Sequence, residues 1–291
     1  KNEIVGHQAI RANDLNFLGK PILAGQTCDS MVRSEQRGKG LIGKLYNNNS
    51  SMASQHGFKA VFSFPNRNMY PGLMRNDSRN RVAILNYYYI RIGYSNLFSV
   101  VGDKLYKYIY RLLIITRYFI TKARFKDNVE IKIFQKLDDE IDDLLKEYLN
   151  YEVLSVWKDL SYMRWRYENH PLFQYDFHIL FNEEKPMGLA VCRSTGKSII
   201  VCDFVHRKRD IYQSILLLNR IILHYGRSKA QKIEFSGWDN GFFDYVFSAM
   251  KFKTMPSNTY FTAKSFGDKR LEKMLVIPHN WSISMGDSDV V

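Results

Sequence analysis

The stretch MVRSEQRGKGLIGKLY, residues 31–46, decides the fold because it joins an extended segment to an amphipathic helix through glycines and cations. Residues 21–32 are predicted to form a long strand, bent at Gly25. A helix is predicted from about residue 39 to 55, and residues 59–64 (KAVFSF) form a short apolar run typical of a buried strand. Strand, glycine turn, helix and strand in this order predict one βαβ unit with parallel strands.

The glycine turn has the chemistry of an anion site. Unpaired backbone N–H groups at a helix start, together with the positive end of the helix dipole, favour a phosphate or diphosphate. Gly38 and Gly40 remove Cβ atoms that would block close approach, and Arg37, Lys39 and Lys44 add positive charge. The spacing matches neither a Walker A loop nor the GxGxxG fingerprint, so a basic, solvated turn is the alternative interpretation.

Composition limits the range of functions. The chain has 291 residues and a net charge of +13, which predicts a globular protein with anionic partners. Three widely spaced cysteines favour reduced thiols, and no Cys or His cluster has metal-ligand spacing, so we expect a cytoplasmic protein without a metal. No signal peptide is evident. The chain begins at Lys1, almost inside a strand, so we expect an incomplete amino terminus.

The second half repeats the order of the first without repeating its sequence. It is predicted to run through a strand (129–134), an amphipathic helix (138–149), a hairpin, a strand (198–204) and a helix (211–225). The expected fold class is α/β (α+β) with two tandem domains. Each would have a mixed, mostly antiparallel sheet flanked by helices, and the first would contain a splayed strand pair. The predicted ranges are 1–100, a linking helix at 101–127, and 128–291.

Residues 104–121 (KLYKYIYRLLIITRYFIT) combine apolar, aromatic and basic side chains. Lys107, Arg111 and Arg117 interrupt any run long enough to cross a membrane. Two interpretations stay open for this helix. It packs between the halves with its basic side chains extended to solvent, or it lies on an anionic lipid surface, which would place the protein at the inner face of the membrane.

The motif Arg37-x-x-Gly40-x-Ile42 resembles the acetyl-CoA-binding motif of the GNAT acetyltransferase superfamily, although Ile42 stands where Gly or Ala is usual. Several stretches resemble one branch of that superfamily, bacterial two-domain proteins often associated with surface-polysaccharide gene clusters. These stretches are RGKGLIGKL (37–45), FSFPNRNMYPGL (62–73), YMRWRYENHP (162–171) and SMGDSDVV (284–291). The resemblance covers nearly the whole chain.

The resemblance implies that acetyl-CoA binds where the strand ending at Val32 diverges from the strand ending at Phe64. The implied cofactor-binding residues are Met31, Val32, Arg33, Gln36, Arg37, Gly38, Lys39, Gly40, Leu41, Ile42 and Asn66. The second domain lacks such a loop and is not expected to bind acetyl-CoA.

The chemistry implied by the family is direct attack of an amine on the thioester. The family's usual acidic Tyr is absent, since Met74 occupies its register, and Tyr70, one turn away, is the candidate acid. Asp29 is the candidate base, with Glu35 as an alternative. Substrate-binding candidates in the second domain are Trp165, Arg166, Tyr167, His170 and Trp238, with Asp239 beside them. Core packing is the competing interpretation for both tryptophans.

Two functions follow from these expectations. The first is an acetyl-CoA-dependent N-acyltransferase acting on a small amine, such as an amino sugar or a nucleotide-linked amino sugar for surface polysaccharide. The second is a non-catalytic GNAT-fold protein whose basic face binds CoA, anionic lipid or nucleic acid. No nucleic-acid-binding motif is present, so nucleic acid is the least favoured partner. Membrane contact through 104–121 and a homodimer are left open.

Overall fold

The computed structural model describes residues 3–77, 79–92, 100–123, 129–226 and 228–288, and the side chains of 100–107, 110 and 111 lie outside this description. Twelve strands form one sheet in the described ranges. They are β1 (Gly6–Phe17), β2 (Lys20–Val32), β3 (Ala60–Ser63), β4 (Asn80–Arg91), β5 (Val129–Phe134), β6 (Leu154–Val156), β7 (Asp176–Asn182), β8 (Lys185–Ser194), β9 (Ser198–His206), β10 (Lys232–Trp238), β11 (Lys253–Ser265) and β12 (Trp281–Ser284).

Helices flank this sheet on both faces. In the same ranges they are α1 (Leu41–Gln55), α2 (Tyr70–Asp77), α3 (Val100–Lys122), α4 (Asp142–Tyr151), α5 (Leu160–Met163), α6 (Ile211–Tyr225), α7 (Phe242–Ala249) and α8 (Lys269–Leu275). A π-helical turn, Arg164–Glu168, continues α5.

The sheet order is β12-β6-β1-β2-β3-β11-β4-β10-β9-β8-β7-β5. A further pairing of β10 with β12 closes the first eight strands of this order into a barrel-like ring. Most neighbours are antiparallel, while β2 and β3 are parallel, as the βαβ prediction required. The mixed α/β class is confirmed. The expectation of one sheet per domain is wrong, because strands of both halves belong to a single sheet.

The strand β11 explains why the two halves share a sheet. It comes from the second half of the chain and pairs antiparallel with β3 on one side and β4 on the other. The apolar core below it mixes both halves as well: Phe62 packs near Phe261, and Phe261 contacts Trp281 edge-on, with ring centroids 4.6 Å apart. The division at residues 101–127 stays a prediction.

The bend in β2 lies at Asp29 and not at the predicted Gly25. The β1–β2 register shifts between the pairs Ala9–Cys28 and His7–Met31, which leaves Asp29 in a bulge with φ of 49°. Gly25 has another role, because a Cβ there would lie 2.5 Å from Ile10 Cγ2. Beyond the bulge, β2 has no registered pair with β3, whose parallel pairing ends at Gln26–Phe62.

The basic and aromatic helix α3 packs one face on the core formed with α6, where Ile114 is buried. Its opposite face exposes large apolar side chains: Tyr108, Ile109, Leu112, Leu113, Phe119 and Ile120. In the described part of the chain, every helix is too short or too polar to cross a membrane.

Candidate functional site

The loop before α1 contains two glycines in a conformation that favours glycine. Gly38 and Gly40 have φ values of 80° and 72°, in the left-handed region where residues with a Cβ are strained. A Cβ on either residue would meet no atom within 4 Å, so backbone conformation and not crowding by the protein requires glycine here. Gly43 has a different cause, since a Cβ there would collide with Asn76 of α2.

The start of α1 presents free donors. Among the described residues, the N–H groups of Leu41, Ile42 and Gly43 have no acceptor, and the first helical bond joins Lys44 N to Gly40 O at 3.2 Å. No side chain caps the helix. Lys44 is exposed one turn into the helix. Such a helix start favours an anion through its donors and its dipole.

A cavity of about 550 Å³, here called the loop cavity, lies against this helix start. All but two of the predicted cofactor residues line it, and these are Met31, Val32, Gln36, Arg37, Gly38, Gly40, Leu41, Ile42 and Asn66. Ser30, Asn68, Met69 and Gly72 complete the lining. The structure therefore brings residues from β2, the glycine loop, α1 and the loop after β3 around one space.

The other two predicted cofactor residues, Arg33 and Lys39, are not among the residues that line the loop cavity. Arg33 forms an exposed ion pair with Glu3, at 2.6 Å. Lys39 donates to Gln36 Oε1 at 2.8 Å. Arg37 lines the cavity and donates from Nε to the carbonyl of Val32 at 3.2 Å, so its guanidinium stays near the strand end.

A second cavity of about 410 Å³, here called the central cavity, adjoins the first and shares Ser30, Asn66 and Met69 with it. It occupies the space between β2 and β3 beyond their last registered pair. Its polar lining includes Thr27, Ser63, Ser236, Thr259 and Ser288. Cys28, Asp29 and Tyr46 also face it, together with the apolar side chains Leu85 and Met285.

Tyr46 is the functional candidate that sequence reasoning missed. It is 3% exposed and lines the central cavity from α1. Burial raises the pKa of its phenol, while a hydrogen bond with Ser30 and the nearby Arg79 act in the opposite direction. The sequence signal for it is the helical spacing of Tyr46, Ser50 and Ala53, which form the buried face of α1.

A buried ion pair supports the floor of the central cavity. The side chains of Arg79 and Asp77 are fully buried and hydrogen-bonded to each other. Arg79 also donates to Thr27 Oγ1 (2.9 Å) and Ser63 Oγ (3.1 Å), two residues of the cavity lining. This network fixes the polar groups that face the cavity.

The predicted acid and base lie in different environments. Tyr70 starts α2, and its ring stacks on Tyr260 with centroids 4.0 Å apart; it lines neither cavity. Asp29 lines the central cavity from the bulge. Glu35 is fully exposed, and a backbone hydrogen bond, with help from Ser34, lowers the pKa of its carboxyl.

The predicted substrate residues do not meet in one pocket. Arg166 and Tyr167 are buried: Arg166 donates to the carbonyls of Gly286 and Ser288, and the Tyr167 hydroxyl donates to Asp203 at 2.9 Å. They therefore hold the tail that supplies Met285 and Ser288 to the central cavity.

The other three predicted substrate residues lie in separate environments, and Trp238 packs against the apolar core. Trp165 is 52% exposed beside Arg11. His170 stacks on Phe173, with centroids 5.0 Å apart. Trp238 donates to the carbonyl of Pro278 at 2.9 Å. Among the described residues, no cluster of three or more His, Cys, Asp or Glu is arranged for a metal ion.

The tail is anchored by a buried cation. Lys158 is 1% exposed, and its Nζ lies 2.7 Å from Asp203 Oδ1, 3.0 Å from Asp287 Oδ1 and 3.0 Å from Ser284 Oγ. Asp203 also accepts from Tyr167. The stretches WRY (residues 165–167) and GDS (residues 286–288), which are distant in sequence, are thus joined by a buried network of ion pairs and hydrogen bonds.

No family model matches the sequence, and no curated protein matches it either. Solved structures share its fold at low identity. A conserved protein of unknown function from Enterococcus faecalis V583, described as a probable N-acyltransferase, has a TM-score of 0.60 and 13% identity, over 94% of this chain and 60% of its own.

GCN5-related N-acetyltransferases give similar values. The protein from Anabaena variabilis ATCC 29413 has a TM-score of 0.60 and 9% identity over 90% of this chain and 60% of its own. That from Kribbella flavida has a TM-score of 0.54 and 12% identity over 91% and 58%. This chain spans about three fifths of the length of these proteins. It has the fold of the GCN5-related N-acetyltransferases.

Proposed function

We propose that this protein is an acetyl-CoA-dependent N-acyltransferase that acts on a small amine. One observation carries the proposal: the loop cavity, with its unpaired helix N–H groups, shares Ser30, Asn66 and Met69 with the central cavity, whose mainly apolar lining includes several residues with hydroxyl groups. Two adjoining spaces, one suited to a diphosphate and one to an acceptor molecule, are what a transferase with two substrates needs.

The residues fit acetyl-CoA, which would supply an activated acyl thioester. The N–H groups of Leu41, Ile42 and Gly43 would hold the diphosphate, with Arg37 beside them. Met31 and Val32 would bind the pantetheine arm from the edge of β2. The predicted splayed strand pair would correspond to the segment of β2 beyond Gln26, where pairing with β3 has ended.

Proton transfer would take place in the central cavity. Tyr46 lines this cavity, and burial raises the pKa of its phenol, so the hydroxyl carries its proton at neutral pH. Its position makes it the proposed proton donor to the leaving thiolate. The sequence-based candidate acid, Tyr70, stacks on Tyr260 and is not among the residues that line either cavity. Asp29, at the cavity wall, is the proposed group for accepting the proton of the attacking amine.

The acceptor is proposed to be an amino sugar used for a surface glycan. Thr27, Ser63, Ser236 and Ser288 give the central cavity a few polar positions among apolar side chains, a lining suited to a small ligand that carries hydroxyl groups. The link to polysaccharide gene clusters and to a bacterial cytoplasmic enzyme rests on the sequence resemblance.

The second candidate function, a non-catalytic lipid-binding protein or a homodimer, is supported by a separate observation. The exposed face of α3, with Leu112, Leu113, Phe119 and Ile120, is an apolar surface on a chain of net charge +13. Flotation with anionic vesicles, in the absence of acetyl-CoA binding, would favour this function, and a dimer in light scattering that is abolished by Leu113→Glu would assign the face to a second copy.

Calorimetric titration with acetyl-CoA tests the proposed function, and the chain offers a matched control. Gly40 and Gly57 lie at opposite ends of α1, both have positive φ, and a Cβ on either meets no atom within 4 Å. Gly40→Asp places a carboxylate at the anion site and should abolish binding, whereas Gly57→Asp should not. Equal affinity in the two variants, or no binding by the wild type, would refute the proposal. Thiol release with a panel of amino sugars would then identify the acceptor.

A further inference from the structure

The central cavity lies at one end of a row of side chains on one face of the sheet. Leu85 of β4 and Ser236 of β10 line this cavity, and Ser236 is the registered partner of Tyr87. Because side chains alternate across a strand, Leu85, Tyr87, Tyr89 and Arg91 share a face of β4. The six residue-to-residue steps from Leu85 to Arg91 span about 20 Å.

A third cavity of about 470 Å³, here called the distal cavity, lies at the far end of this row. Tyr87, Tyr89, Arg91, Lys197 and Lys232 line it. The distal and central cavities are therefore neighbours on one face of the sheet, because Tyr87, which lines the first, is the registered partner of Ser236, which lines the second.

The distal cavity is cationic. Arg91 and Lys197 are exposed and have no carboxylate partner among the described residues. Lys232 pairs with Glu234, and β11 adds Lys253, the registered partner of Tyr89, to the same face. Among the described residues paired across β4, β9, β10 and β11 on this face, Glu234 is the one acid. Positive charge is therefore in excess.

The distal cavity also presents aromatic surface. The rings of Tyr87 and Tyr89 stack with centroids 5.6 Å apart and an interplanar angle of 28°, and both residues are half-buried. The Tyr87 hydroxyl is hydrogen-bonded to Glu234 and Lys232, which fixes the orientation of the ring. A fixed ring beside unpaired cations suits a ligand with a planar base and a phosphate.

We propose that the distal cavity binds the nucleoside diphosphate end of the acceptor, whose amine reaches the central cavity along the β4–β10 face. Arg91 and Lys197 contact the phosphates, and Tyr89 stacks on the base. The acceptor is then a nucleotide-linked amine about 20 Å long, which matches the run from Leu85 to Arg91. The role as acceptor site rests on the proposed function, whereas the binding of a nucleotide does not.

The probe is UDP, measured by calorimetry on the full chain beside acetyl-CoA. The double variant Arg91→Ala/Lys197→Ala removes two exposed charges, so it should fold normally and bind UDP about tenfold more weakly or worse. Its affinity for acetyl-CoA should match that of the wild type. The control Lys269→Ala/Lys273→Ala removes two exposed charges from α8, away from every cavity described above, and should change neither affinity.

Two results would overturn the proposal. The first is that UDP does not bind the wild type at millimolar concentration. The second is that UDP binding is lost in Gly40→Asp but kept in Arg91→Ala/Lys197→Ala, which would place UDP at the loop before α1. Failure of the proposed function looks different. In that case acetyl-CoA does not bind the wild type, while UDP binding still depends on Arg91 and Lys197. The distal cavity would then remain a nucleotide site but would not be an acceptor site.

Discussion

Replacing Lys158 by Met should destabilise the protein strongly at neutral pH. Methionine keeps a similar volume, so packing is nearly preserved, but the carboxylates of Asp203 and Asp287 lose the ammonium that lies 2.7 and 3.0 Å away. Both carboxylates are 1% exposed and have no access to water. Leaving buried charges without a partner costs about 3–5 kcal/mol, which for a chain of this size lowers Tm by roughly 6–20 °C.

The pH dependence gives the prediction its sharpest test. Burial alone would lower the pKa of Lys158, but Asp203 and Asp287 raise it well above its usual value. The folded-state pKa is thus higher than the unfolded one, so the cation stabilises the wild type fully at every pH below about 10.4 and this contribution is lost only as pH rises further. In Lys158→Met, protonation removes the unpaired negative charge of the buried carboxyls. The stability lost relative to the wild type should therefore become smaller as pH falls.

Urea unfolding followed by circular dichroism at pH 8 and pH 5 would measure both effects. Lys146→Met is the control, because Lys146 pairs with Asp142 at an exposed position and its loss should leave Tm unchanged. A deficit below about 1 kcal/mol, or an equal deficit at both pH values, would refute the reasoning. Since the anchored tail lines only the central cavity, acetyl-CoA affinity should survive the substitution at temperatures below the transition.

Three further predictions concern single side chains. Tyr46→Phe should slow thiol release by about a hundredfold or more and leave acetyl-CoA affinity intact, while Tyr70→Phe should have a much smaller effect; the reverse order in steady-state rates would return the acid role to Tyr70. Burial lowers the pKa of His206 to about 3, below its unfolded value of about 6.5, so stability is complete above pH 6.5 and falls as pH drops towards 3. The urea midpoint of His206→Gln should fall less steeply with decreasing pH than that of the wild type. An equally steep fall in the variant would contradict the assignment. Cys28 lines the central cavity whereas the other two cysteines are buried, so dithionitrobenzoate should modify one thiol of the native protein, and rapid labelling of Cys28→Ser would show this to be incorrect.

The local part of the fold was predictable from the sequence. The βαβ unit around the glycine loop depends on neighbouring residues, and the structure places its elements within about two residues of the prediction: β2 ends at Val32 and α1 ends at Gln55. Gly38 and Gly40 were expected for the close approach of a ligand, and the structure adds a second reason for glycine, a positive φ at each residue.

Features that depend on distant partners were not predictable. Residues 13–20 (NDLNFLGK) have a composition typical of a polar turn. Nevertheless β1 continues to Phe17, because Asn13 donates to Gln26 Oε1 and Asn16 donates to the carbonyls of Leu149 and Glu152. Polar residues favour a turn only while no partner in the fold satisfies them. For the same reason Arg166 looked like a ligand-binding residue, although its partners are carbonyls 120 residues away.

The position of β11 has a consequence for biosynthesis. When the ribosome has released residues 1–92, β3 and β4 exist in sequence, but the strand that belongs between them lies more than 160 residues downstream. Until it arrives, both strands expose unpaired edges, which invite association with other chains. Maturation of the glycine-loop half is therefore expected to be post-translational, and a truncated messenger that ends before residue 253 should yield aggregates.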